Sequence, residues 1–174
     1  MPAPPLLEIL RHLESTHFRD IAGTHVSAAI PVSERLLNEL VTATMPRDLP
    51  IREVSVRPEA GNRFSVRLTP RVTMLPHVTL KLEVERQPDF PAAPVLVLRM
   101  ATMPGLFGLA GAALPMDRLL PPGVRLDGER ILVDLRAMAA RQGLAAYLEY
   151  VRELRVTTEP GRLLLHIEAG VPAS

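Results

Sequence analysis

Two neighbouring segments constrain this chain more than any other feature. In RFSVRLT, Phe64, Val66 and Leu68 alternate with Arg63, Ser65 and Arg67. In VTLKLEVER, Val78, Leu80, Leu82 and Val84 alternate with Thr79, Lys81, Glu83 and Glu85. A period of two is the repeat of an extended strand, and a dry face backed by a charged one belongs to an antiparallel sheet with one face in water. Residues 63 to 86 are therefore predicted to form two long strands of one sheet, with Phe64, Val66, Leu68, Leu80 and Leu82 on its buried face.

The rest of the chain arranges itself around that pair. Val54 and Val56 can join RFSVRLT through a turn at Glu59, Ala60, Gly61 and Asn62. PVLVLRM is apolar on both faces and reads as a deeper strand. Asp127 and Gly128 form a two-residue turn between VRL and ERILVDL, and Glu159, Pro160 and Gly161 join LRVTT to RLLLHIE, with Leu163, Leu165 and Ile167 inward. Upstream, Val26, Ala28 and Ile30 share one face of a strand that Pro31 closes. Helical spacing appears in Leu6, Leu7, Ile9, Leu10 and Leu13, in Leu36, Leu37, Leu40 and Val41 behind the N-cap Ser33, and from about Leu135 to Tyr150, interrupted or bent near Gly143. The least regular stretch runs from Met103 to Met116. The total is about nine strands and four helical pieces in a single domain spanning 1–174, with residues 1–22 as an N-terminal helical extension and 24–171 as the core.

Composition narrows the function classes. Every basic residue but Lys81 is arginine, yet 19 carboxylates are interspersed among them and the net charge is +1. A nucleic-acid surface needs clustered positive charge, so no nucleic-acid partner is expected. There is no cysteine, which removes disulfides and thiolate chemistry. No stretch approaches the roughly 20 apolar residues of a spanning helix. Without a basic, uninterrupted apolar leader the chain reads as cytoplasmic; an envelope location follows if a leader has been removed.

Catalytic constellations are not evident. His12, His17, His25, His77 and His166 lack metal-ligand spacing, and neither HEXXH, GxSxG, a P-loop nor GxGxxG is present. Glu83 and Glu85 share a strand face, but it is the wet face beside Lys81, where solvated carboxylates belong. The expectation is a protein that is not an enzyme and takes no cofactor or metal.

The stretch THVSAAIPVSERLLNELVTATMP, a strand running into a capped helix before several long strands, resembles the opening of a tubular lipid-binding (TULIP) domain, a family whose bacterial members include small envelope proteins. PPGVRLDGERILVDL and LRVTTEPGRLLLHIEAGV are similar to the way such domains close, so that the resemblance covers about Thr24 to Val171. It implies an α+β fold in which a curved, mainly antiparallel sheet wraps a long amphipathic helix. It also implies a lipid or other apolar ligand in the groove between them. Leu36, Leu40 and Met45 of the helix would face Phe64, Val66, Leu82 and Leu165 of the sheet, with Leu106 and Phe107 at the mouth. A groove for an acyl chain would need about 300 Å³ or more. The alternative is a solid core in a protein-protein interaction or assembly module, which presents a sheet edge or an apolar patch to a partner or to a second copy as a homodimer.

Overall fold

The computed structural model describes residues 15–16, 21–45, 51–72, 76–101, 120 and 122–172. The helix expected at Leu6 to Leu13 and the Met103 to Met116 segment lie outside the described residues, as do Leu106 and Phe107. In chain order the elements are β1 (His25–Ser33), α1 (Glu34–Thr44), β2 (Ile51–Glu59), β3 (Arg63–Pro70), β4 (Val78–Arg86), β5 (Val95–Met100), β6 (Val124–Asp127), β7 (Arg130–Asp134), α2 (Leu135–Arg141), a 3-10 turn (Ala145–Tyr150), β8 (Val151–Glu159) and β9 (Arg162–Gly170). A three-stranded sheet has the order β1-β9-β8 and a six-stranded sheet the order β2-β3-β4-β5-β7-β6. Every pairing between strands is antiparallel.

The alternating segments become β3 and β4 as their periodicity predicts. Phe64 stands opposite Leu82 and Val66 opposite Leu80, so one register puts all four side chains on the same face. That face continues across the sheet through Val56 opposite Val66, Met100 opposite Leu82, and Ile131 opposite Leu98. It packs against the apolar side of the three-stranded sheet, where Val156 is buried and Leu154, Leu163 and Leu165 are partly buried against the same cluster. The core therefore lies between two sheets.

The opposite face of the large sheet is wet and laced with charge. Lys81 Nζ lies 2.6 Å from Glu59 Oε1, Arg99 Nη2 2.9 Å from Glu83 Oε2, and Arg130 Nη2 2.7 Å from Glu85 Oε1. These bonds hold the Glu59 carboxyl, donated to first by Lys81 and next by Ser65, and the Glu85 carboxyl, donated to by Arg130, below the ordinary glutamate range. Glu83 and Glu85 are thus partners of surface arginines, not an acid and base pair.

One sequence expectation is corrected here. No curved sheet wrapped around a long helix is seen among the described residues: α1, α2 and the 3-10 turn have only 11, 7 and 6 residues. The helical stretch from Leu135 to Tyr150 is interrupted at Gly143 as expected, the glycine taking φ +72°, a conformation that suits it. The chain satisfies its apolar strands by pairing sheet with sheet, so no helix is needed to cover them. Smaller differences follow from local geometry. β1 runs through Pro31 to Ser33 instead of stopping there, because proline is tolerated at a sheet edge where its missing N–H faces outward. The β6–β7 turn falls on Gly128 and Glu129, one residue later than the sequence implies, with Gly128 at φ +58°.

Candidate functional site

Of the residues expected to line a groove, the strand residues come together but the helix residues do not join them. Phe64 and Leu82 are each 6% exposed, and Val66 and Leu165 are packed against them in the core between the sheets. α1 instead packs on β2 and turns two of its leucines outward, Leu36 at 45% and Leu40 at 53% exposure. Met45, at the end of α1, is half-buried. With the strand residues consumed by sheet-on-sheet packing and the helix leucines facing out, the described residues form no hydrophobic groove between α1 and the sheet. The helix-wrapped groove that the TULIP resemblance implies is thus not seen, and nothing in the described geometry supports lipid-binding. A substitution such as Leu40→Asp places its charge in water, not in a core.

Two open clefts can be described, each walled by both polar and apolar side chains. One of about 600 Å³ lies beside β8, lined by Asn62, Gln87, Phe90, Arg152, Arg155 and Thr157 among others. The other, about 470 Å³, lies on the outer face of the small sheet along Ser27, Arg155, Thr157, His166 and Glu168. In it, Thr157 Oγ1 is 3.3 Å from His166 Nε2. A hydroxyl beside an imidazole needs a third group to orient the ring before it resembles a nucleophile and its base. Among the described residues no such hydrogen bond to His166 is present. Among the described residues there is also no group of three or more side chains able to hold a metal ion, and no helix long and apolar enough to cross a membrane.

The distinctive chemistry is at the sheet edges. An edge strand exposes a row of unpaired backbone donors and acceptors, which invites another strand. Two sheets have four edges, and three are closed. At β2, the Asn38 side chain of α1 behaves like a strand residue: its Nδ2 donates to Val56 O at 2.8 Å, and its Oδ1 accepts from Val56 N at 2.7 Å. Two residues on, Pro58 has no N–H to expose, and its carbonyl accepts from Gly161 N at 3.0 Å. At β8, Gln87 does the same work, donating to Val156 O at 2.7 Å and accepting from Val156 N at 2.8 Å. Asn62 Oδ1 then accepts from Thr158 N at 3.2 Å. Asn62 itself sits at φ +59° in the β2–β3 turn, the left-handed conformation asparagine tolerates. The third closed edge, β6, is four residues long and carries Arg125 and Asp127.

The fourth edge, β1, has none of these devices over most of its length. HVSAAIPVS contains no Lys, Arg, Asp or Glu in nine residues. Among the described residues no strand or side chain pairs with its outer side. The bonds at its two ends fix which groups are free. Thr24 O accepts from Val171 N at 3.0 Å, and Glu34 N donates to Gly161 O at 2.9 Å. Even-numbered residues therefore exchange bonds with β9, while the backbones of His25, Ser27, Ala29, Pro31 and Ser33 point away from it. Among the described residues Pro31 is the one brake on that row. On the apolar face of the same strand Val26 is 52% and Ile30 44% exposed.

None of Ser27, Ala29, Asn38 or Gln87 was singled out by sequence reasoning. The absence of charge from β1 was readable, but Asn38 and Gln87 gave no signal, because an amide carries no periodicity and its partner is distant in the chain. Comparison with family models, with curated proteins and with solved structures returns no match, so any functional reading rests on this chain's own geometry.

Proposed function

We propose that the protein is a non-enzymatic interaction module whose working surface is the outer edge of β1, which accepts an extended strand by β-augmentation. The contrast between the edges supports this reading. A chain that closes β2 with Asn38, β8 with Gln87 and β6 by shortness and charge leaves β1 long, uncharged and flanked by exposed Val26 and Ile30. Edge strands left in that condition recruit other strands, and proteins with no use for recruitment blunt them.

The test is the size of the chain by size-exclusion chromatography, with immunodetection in lysate of its native host and, so that weak association is populated, as purified protein at about 1 mM. The wild-type chain is expected to elute well above 19.1 kDa. Ser27→Pro, which removes a central outward donor while leaving the β9 ladder intact, is expected to return it to monomer size. Equal elution of both proteins under both conditions would refute the reading.

A further inference from the structure

We infer that the strand accepted at this edge is β1 of a second copy, paired antiparallel about a two-fold axis through Ser27; this rests on the interaction-module reading above. The geometry of β1 is self-complementary in three independent respects.

The first is charge. Two identical strands running antiparallel bring like residues near one another, so a charged edge strand repels its own copy. β2, β6 and β8 each carry arginine together with a carboxylate, whereas β1 carries neither. No complementary charge has to be supplied by a different partner.

The second is register, which Pro31 decides. The outward backbone groups belong to odd-numbered residues, and in an antiparallel pair the residues that exchange both bonds must be outward on both strands. A two-fold axis at Ala29 would place Pro31 opposite Ser27 of the copy in a bonded pair. The proline Cδ stands where the hydrogen would be and would drive into the facing carbonyl. An axis at Ser27 avoids this. It pairs Ser27 with Ser27 of the copy and His25 with Ala29 in both directions, so that every outward donor of His25, Ser27 and Ala29 finds an acceptor. Pro31 then lies opposite Gly23, whose N–H is already bonded inward to Val171 O at 2.9 Å, so no donor is sought there.

The third is the apolar face. In this register Val26 stands opposite Ala28 of the copy, on the same face as Ile30. The half-covered apolar surface of one small sheet thus continues into that of the other, making a six-stranded sheet across the pair. Because the same edge is used by both copies, the contact is isologous and closes at two, without propagating into a fibre. The ladder is short and the interface small, which places it with weak, concentration-dependent dimers.

The test uses the purified full chain in sedimentation velocity, across a concentration series up to about 1 mM, where even weak specific association is populated. Amide hydrogen exchange is read in parallel. The wild type is expected to move from 19.1 kDa to twice that mass. Over the same range protection should rise at Ser27, while Ala28 and Ile30, bonded to β9, stay protected throughout. Ala29→Lys and Ser27→Pro are expected to remain monomeric with Ala28 and Ile30 still protected, which separates loss of pairing from loss of fold. Pro31→Ala is expected to stay dimeric or associate more tightly; a monomeric Pro31→Ala chain that keeps its β9 protection would overturn the register. A wild-type chain that stays at 19.1 kDa throughout, with Ser27 exchanging freely, overturns self-pairing. If the lysate measurement still shows a large, Ser27-dependent assembly, the partner is a different strand and the module reading survives without this one.

Discussion

Replacing Gln87 by methionine tests the account of the closed edges directly. The side chain keeps its length in the cleft wall it shares with Phe90 but can no longer bond to the Val156 backbone. Val156 is 5% exposed, so its N–H and C=O lose partners at 2.8 and 2.7 Å that bulk water cannot easily replace. An unsatisfied buried backbone group costs about 1–3 kcal/mol. Gln87 is half-buried at the wall of a cleft that water can enter, which discounts one of the two groups. The expected loss is therefore about 2–4 kcal/mol, a large share of the roughly 5–15 kcal/mol that holds a domain together. For a chain of this size it corresponds to a fall in Tm of about 4–16 °C. Urea unfolding at neutral pH followed by circular dichroism measures it. Gln87→Glu separates bonding from packing. Ionised, the carboxylate accepts from Val156 N–H but repels Val156 O; protonated, it can donate to that oxygen. Its deficit relative to wild type should shrink as pH falls through the carboxyl range, while that of Gln87→Met should not. A Gln87→Met protein within about 0.5 kcal/mol of wild type would refute the reasoning, since that is the range of an indifferent surface change.

Three further outcomes are expected. Phe64→Ala should cost about 3–5 kcal/mol in urea unfolding, because Phe64 is 6% exposed at the centre of the packing between the sheets; a loss below about 1 kcal/mol would mean the sheets do not meet there. Ser33→Ala should cost about 1 kcal/mol, since Ser33 Oγ accepts from Leu36 N at 3.2 Å and caps α1; an unchanged Tm would argue against the cap. Glu59 and Glu85 have folded-state pKa values below the ordinary 4.5, so what they contribute is fully present above that value and is lost as pH falls through the folded pKa. Tm should decline on the acid side of pH 4.5, and Glu59→Gln with Glu85→Gln should flatten that decline, slightly and less so in high salt, as suits exposed pairs.

What the sequence determined by itself was local. Period two in RFSVRLT and VTLKLEVER dictated β3 and β4 and the side each residue faces, because a one-residue slip would turn Phe64 and Leu82 into water. Glycine and proline placed the hairpin turns, and Ser33 placed the start of α1, because those effects act over two to four residues. Tertiary structure decided what the dry faces met. Leu36 and Leu40 have the spacing of a buried stripe, yet the small sheet supplied the apolar surface that covered β3 and β4, and the helix leucines remained exposed. Apolar periodicity specifies that a face will be covered but not by which element, and on that ambiguity the expected groove failed. The edges depended still more on the whole fold. Asn38 reaches Val56 and Gln87 reaches Val156 only because the assembled sheets bring an amide to an open strand 18 and 69 residues away. The lack of charge in β1 stands in the sequence, but that β1 is an edge is a property of strand order, which is settled only when β9 pairs with β1 on one side and β8 on the other.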